Sequence, residues 1–105
     1  MSIDRERKYG LKALEARLGP PSVGNFLRSW RLSEGLSQKQ FAKKLRMTPA
    51  NLCDIELGRK GVSPEKAEQI ADILGVPPVT LVRLALQQQL VDAGLKYKID
   101  LKEAA

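Results

Sequence analysis

Cationic and amide side chains are concentrated in one part of this chain. Between Leu36 and Lys60 the sequence has six Lys or Arg residues and three Gln or Asn residues. Lys and Arg neutralise phosphate groups, and side-chain amides form paired hydrogen bonds with the edges of bases. The chemistry that this run can perform is therefore the noncovalent recognition of a nucleic acid.

The distribution of charge along the chain agrees with this interpretation. The 105 residues carry a net charge of +6. Residues 23–62 have eight basic and three acidic side chains, whereas residues 63–105 have five basic and six acidic ones. A basic segment suits a polyanion, because each neutralised phosphate releases condensed counterions. On charge alone, a solvated basic face without a partner is an equal alternative.

Other classes of protein lack the residues that they need. The chain has no His and a single cysteine, Cys53, so we expect no enzyme activity, no metal site and no cofactor. It has no apolar run long enough to cross a membrane, and the charged segment from Asp4 to Lys8 does not fit a secretion signal. One cysteine fits a reducing cytoplasm, although a chance core thiol could occur anywhere. Together with the expected binding of nucleic acid, this predicts a cytoplasmic, nucleoid-associated protein.

Helix-capping residues and glycines divide the chain into six predicted helices. Apolar residues recur three and four positions apart in each, which is the helical period. The third helix begins with a capping box, Ser37 and Gln40. The helices are predicted to begin near Asp4, Ser22, Ser37, Thr48, Ser63 and Pro77.

The C-terminal part of the chain has the pattern of an interface between chains. The sixth helix carries two apolar faces, which suggests that one packs on its own domain and one on a partner subunit. After Gly94 apolar residues alternate with polar ones, which predicts a strand over 95–101 that pairs with its own copy or with a different protein. A frayed tail is the alternative. We assign five residues to a dimer contact: Val82, Leu86, Leu90, Tyr97 and Ile99.

The run from Leu36 to Lys60 resembles the helix-turn-helix of the Cro/CI-type repressors, the XRE family. The resemblance rests on residues that match in type and spacing, namely Leu36, Ser37, Gln38, Ala42, Leu45, Leu52, Ile55, Glu56, Gly58 and Arg59. With the flanking helices, from about Val23 to Val76, it covers roughly half to two thirds of the chain. One residue departs from the pattern: Arg46 stands where the family usually has a glycine in a left-handed turn, and we expect it to reshape that turn.

The resemblance implies an all-α fold for the central part of the chain, and the residue patterns add a part on each side of it. Residues 22–76 would form a five-helix, lambda-repressor-like DNA-binding domain. Residues 1–21 would form a basic helical arm, and residues 77–105 a dimerisation helix and strand. Arg31 and Glu56 match a structural ion pair of the family, with two solvated charges as the alternative.

The resemblance also implies which residues contact DNA. The recognition helix, from Thr48 to Leu57, would enter the major groove. Asn51 is the best candidate for reading a base, since its amide can bond adenine at two atoms, although it could equally bond a phosphate. Base contacts are expected from Pro49, Ala50, Asn51 and Asp54. Phosphate contacts are expected from Gln38, Thr48, Arg59, Lys60, Lys39, Lys43 and Arg28, with solvated side chains, or for Thr48 a helix cap alone, as the alternatives.

Residues at three further positions are expected to be structural. Phe26 and Trp30 lie at helical spacing beside leucines and are expected in the core, not on a stacking platform. Cys53 is adjacent to Leu52 and is expected to be a structural thiol, not a redox sensor.

Three functions are consistent with the sequence. The first is a dimeric repressor that binds a pseudo-palindromic operator as double-stranded DNA. The second is an antitoxin that represses its own operon and also binds a toxin protein. The third is a protein-interaction module that does not bind DNA.

Overall fold

The computed structural model describes residues 21–104, which contain five helices and no strand. The helices are α1 (Val23–Ser33), α2 (Gln38–Lys44), α3 (Pro49–Glu56), α4 (Pro64–Leu74) and α5 (Pro78–Asp92). The all-α prediction is confirmed for this part of the chain. The helix predicted near Asp4 and the N-terminal arm lie outside the described residues, apart from Pro21.

All five helices begin where the sequence predicts, and four of them have a side-chain cap. The hydroxyl groups of Ser22, Ser37, Thr48 and Ser63 each accept a hydrogen bond from the backbone N–H three residues on. At α2 the capping box is complete, because the Ser37 N–H also donates to Oε1 of Gln40 at 3.0 Å. These side chains satisfy N–H groups that have no partner within the helix.

Every one of the five helices ends in the same backbone motif. One left-handed residue stands at the C-terminal end of each helix, as the cap itself in α4 and just after the cap in the others. Two N–H groups there bond back to carbonyls of the last turn, as in a Schellman motif. Glycine occupies the left-handed position in four cases. In the fifth, after α2, it is Arg46, with φ of 59°. The expected reshaping of this turn does not occur, since the Met47 N–H still reaches the Ala42 carbonyl at 3.0 Å.

A single apolar core joins all five helices. Its fully buried large side chains are Leu27, Phe41, Leu45, Leu52, Ile70 and Leu81. Helix α5 completes this core, because Leu81, Leu84 and Ala85 are buried and α5 packs most extensively on α4. The fifth helix of the bundle is thus the helix to which the sequence assigns dimerisation.

Two predicted core positions lie at its border instead. Phe26 and Trp30 are half-buried, pack against the core, and stack on each other with ring centroids 6.1 Å apart. Cys53 is a half-buried free thiol outside the core cluster, and its expected structural role stays a prediction. The helical period explains its position outside the cluster, because Cys53 follows Leu52 by one residue and so faces about 100° away from it.

The strand predicted over 95–101 is not found. Residues 95–104 have no regular secondary structure, and no β-ladder exists anywhere between residues 21 and 104. A lone extended segment has no neighbouring strand within one chain, so it cannot form a ladder by itself. No helix within the described range is long and apolar enough to cross a membrane.

Candidate nucleic-acid interface

A buried ion pair fixes the end of α3 against α1. Arg31 donates from Nε to Oε2 of Glu56 and from Nη2 to Oε1, both at 2.9 Å. The side chains are 13% and 3% exposed. Such two-point pairs between a guanidinium and a carboxylate are strong and directional. The sequence assigned these residues to a structural pair, and the structure brings them together.

The same pair also holds the start of α2. Arg31 donates from Nη1 to the Leu36 carbonyl at 3.1 Å, and Gln38 donates from Nε2 to Oε1 of Glu56 at 3.2 Å. The hydrogen bonds to Glu56 raise the pKa of Arg31, despite an opposing effect of burial, so the guanidinium stays charged. We call Arg31, Glu56, Gln38 and the Leu36 carbonyl the clamp. It connects α1, α2 and α3 at one point.

A second close contact sets the position of α3 on α1. Gly24, in the first turn of α1, is buried against the backbone of α3. A Cβ at this position would collide with the carbonyl oxygen of Ile55. Only glycine lets the two helices approach this closely. Sequence reasoning did not single out Gly24, although a glycine inside a helical pattern is itself a signal of close packing.

The clamp and Gly24 leave the start of α3 facing outward. Leu52, Ile55 and Glu56 turn toward the protein, while Pro49 and Ala50 are exposed. Thr48 caps α3, since its Oγ1 accepts the Asn51 N–H at 3.1 Å. Two short helices joined by a tight turn, with the second exposed along one side, are the geometry of a helix-turn-helix.

Comparison with known families agrees with this geometry. The family model described as "Helix-turn-helix domain" matches residues 22–84, more than half of the chain. The chain belongs to the helix-turn-helix domain family. Comparison with curated proteins and with solved structures gives no match.

In this helix-turn-helix domain, a basic loop folds back over the outer side of α3. Lys60 donates from Nζ to Oδ1 of Asn51 at 3.0 Å. The Nη1 atom of Arg59 lies 3.8 Å from Oδ1 of Asp54, and 71% of the Arg59 side chain is exposed. The backbone N–H groups of Arg59 and Lys60 both reach the Asp54 carbonyl. The structure therefore joins the predicted phosphate contacts Arg59 and Lys60 to the predicted base contacts Asn51 and Asp54.

The remaining predicted phosphate contacts lie on two helices. Lys39 and Lys43 are exposed on α2, and Arg28 is exposed on α1. None of these three side chains forms an ion pair or side-chain hydrogen bond within residues 21–104. Gln38 differs from them, because its amide is already engaged by the clamp. A free cation on an exposed surface is available to an anionic ligand.

Two side chains on or beside α3, Cys53 and Leu57, were not assigned to the interface by the sequence, and Arg46 was a less certain phosphate candidate. Arg46 is exposed in the turn, Cys53 is half-buried on α3, and Leu57 at the end of α3 is 58% exposed. The helical period places Cys53 and Leu57 on the same side as Ala50. Counting that period forward from Ala50 is the signal that could have found them.

Proposed function

We propose that this helix-turn-helix protein is a sequence-specific DNA-binding transcription regulator of the Cro/CI type, and specifically a repressor. In this proposal the start of α3 enters the major groove of double-stranded DNA. The observation that carries it is the exposed start of α3, fixed in place by a buried clamp and flanked by basic side chains. A rigid, outward-facing helix with a basic border is what recognition in the major groove requires.

The proposal divides the surface between positioning and reading. Phosphates are contacted by Gln38, Thr48, Lys39, Lys43, Arg59, Lys60 and Arg28, and these contacts carry no sequence information. Bases are contacted by Pro49, Ala50, Asn51 and Asp54. Because Pro49 and Ala50 are short and apolar, they can contact a thymine methyl group but cannot form hydrogen bonds through their side chains. DNA shape therefore contributes much of the specificity.

The regulator is proposed to act as a homodimer. The half-buried residues Leu86 and Leu90 of α5, with Tyr97 and Ile99 after Gly94, supply the contact between copies. Val82 was assigned to the same contact, but it packs against the core of its own chain. Two-fold symmetry places two recognition helices in successive major grooves, about 34 Å apart. The operator is therefore pseudo-palindromic, with half-sites about one helical turn apart.

Selection of bound duplexes from a random pool tests the proposal. We expect enrichment of two related half-sites whose centres lie about 10 base pairs apart. Protection of those half-sites from hydroxyl radicals should appear on one face of the duplex. No enrichment, together with an affinity for DNA that does not change with salt, would favour a protein-interaction module instead.

A further inference from the structure

Gln87 holds the C-terminal segment against α5 by its side-chain amide. Its Nε2 donates to the Tyr97 carbonyl at 2.7 Å, and its Oε1 accepts the Ile99 N–H at 2.8 Å. The carbonyl of one residue and the N–H of the second residue after it point to the same edge of an extended chain. One amide therefore satisfies one edge of the segment, as a residue of a neighbouring strand would.

The opposite edge of this segment is free. In an extended chain the backbone groups of Lys96, Lys98 and Asp100 point away from the edge that Gln87 occupies. Within residues 21–104 they form no backbone hydrogen bond and no bond to a side chain. Tyr97 beside them is 68% exposed and Leu95 is 46% exposed. An exposed edge with apolar side chains is a template for pairing with another strand.

The residues on this segment complement a second copy of themselves. If two copies pair antiparallel about Lys98, each Lys96 lies opposite the Asp100 of the other copy. On the other face of the ribbon, Leu95 lies opposite Leu101 and Tyr97 opposite Ile99. Opposite charges and apolar pairs directly across strands are both stabilising. Lys98 opposite Lys98 is the single unfavourable pair of this register.

A shift of the centre by one residue, to Ile99, removes part of this complementarity. Lys98 would then lie opposite Asp100, but Lys96 would lie opposite Lys102 and Leu95 opposite Glu103. The register about Lys98 keeps all four apolar residues paired with one another. The segment is thus more nearly self-complementary in the register about Lys98 than in the register about Ile99.

We propose that two copies of this chain join through a two-stranded antiparallel β-ribbon over 95–101, centred on Lys98 and positioned by Gln87. The ribbon rests on the dimer of the proposed function and specifies how its two copies pair. A second copy fits the free edge in the antiparallel direction, because that pairing places opposite charges across from each other and apolar residues across from apolar residues.

Charge exchange tests the register. Asp100→Lys replaces both attractive pairs with repulsive ones, and we expect the dimer dissociation constant to rise roughly tenfold in sedimentation experiments. The double variant Lys96→Asp with Asp100→Lys should restore the wild-type value. Asp72→Lys, an exposed position on α4, is the matched control for the change in charge. Failure of the double variant to restore the dimer would overturn this register.

The Lys98 pair at the centre of the ribbon gives a test in which the dimer should become tighter instead of weaker. Lys98→Thr removes the like-charge pair and introduces a favourable cross-strand pair, so the dimer should tighten severalfold. An unchanged or weaker dimer would contradict a ribbon centred on Lys98. The outcome is informative because a solvated tail would show no gain.

The role of Gln87 is tested by substitutions that remove one or both of its hydrogen bonds. Gln87→Glu keeps the acceptor for Ile99 but loses the donor to Tyr97, and Gln87→Ala loses both. We expect both variants to weaken the dimer, while Gln89→Ala at an exposed position of the same helix leaves it unchanged. Equal dimer constants for all three variants would remove Gln87 from the proposal.

The wild-type protein separates failure of the ribbon from failure of the proposed function. The ribbon is overturned if the wild-type protein stays monomeric at a concentration about 100-fold above its dissociation constant for DNA. If that monomer still binds a half-site, DNA binding is left intact. If the dimer dissociation constant changes in the variants as described but the protein does not bind DNA, the ribbon is supported and the proposed function is contradicted.

Discussion

Arg46 adopts a backbone conformation that normally requires glycine. It is the one non-glycine residue with positive φ among residues 21–104, and its exposed side chain makes no ion pair or side-chain hydrogen bond there. A side chain in the left-handed region costs about 1–2 kcal/mol. Arg46 therefore lowers the stability of the fold without a compensating contact in the described part of the chain.

Replacing Arg46 by glycine should stabilise the protein. We expect Arg46→Gly to raise the free energy of unfolding by up to about 1 kcal/mol, because the strain relieved exceeds the entropy cost of glycine. Urea denaturation measures this change. Lys43→Gly, at an exposed helical position of α2, is the control and should lower stability by a similar amount. A destabilised Arg46→Gly variant would show that the arginine side chain contributes to the fold.

Asn51 is the residue on which direct reading of a base depends most. Its Oδ1 accepts from Lys60, which leaves the amide N–H groups free to donate. We expect Asn51→Ala to cost about 1–3 kcal/mol on the selected operator and to relax preference at one base position. Affinities for a panel of single-base operator variants measure this. An equal loss on unrelated DNA would make Asn51 a phosphate contact.

At the scale of elements, the angle between α1 and α3 depends on the clamp. Removing one partner of a buried ion pair leaves the other charge without compensation, which costs about 3–5 kcal/mol. Because the side chain of Glu56 is 3% exposed, we expect Arg31→Met to fall in this range. Thermal unfolding measures the loss. Arg28→Met, on the exposed side of the same helix, should leave stability nearly unchanged.

The close approach of α1 to α3 gives a second test at this scale. We expect Gly24→Ala to destabilise the protein by about 1–3 kcal/mol, because overpacking against the Ile55 carbonyl outweighs the better helix propensity of alanine. Gly61→Ala is the matched control, since no atom lies within 4 Å of a Cβ added there. Stability that does not differ between these two variants would mean that α1 can shift freely on α3.

At the scale of the whole molecule, local sequence signals predicted the helices. The features that the sequence did not predict depend on contacts between distant residues. Ser37, Thr48 and Ser63 cap neighbouring residues, so their roles can be seen in a short stretch of sequence. Contacts such as Gln87 with Ile99 join a helix to a segment twelve residues away and depend on how the chain turns after Gly94. The alternating pattern after Gly94 predicts a strand, but one chain cannot supply its partner.

At the candidate site, too, some contacts could be predicted from the sequence and others could not. The resemblance to the Cro/CI-type repressors suggested the pairing of Arg31 with Glu56, which lie 25 residues apart. It did not suggest that Lys60 bonds Asn51, because that contact depends on how the loop after Gly58 folds back over α3. The half-buried position of Cys53 follows from helix phase, because Cys53 comes one residue after the buried Leu52.

The salt dependence of DNA binding tests the central claim most directly. We expect the logarithm of the association constant for the selected operator to fall linearly with the logarithm of salt concentration, with a slope of about 0.9 per phosphate contacted. Arg59→Ala and Lys60→Ala should each reduce that slope by about one unit, and Lys102→Ala should not. Binding that is independent of salt, or slopes that do not change in the two loop variants, would contradict the placement of α3 and its basic loop on DNA.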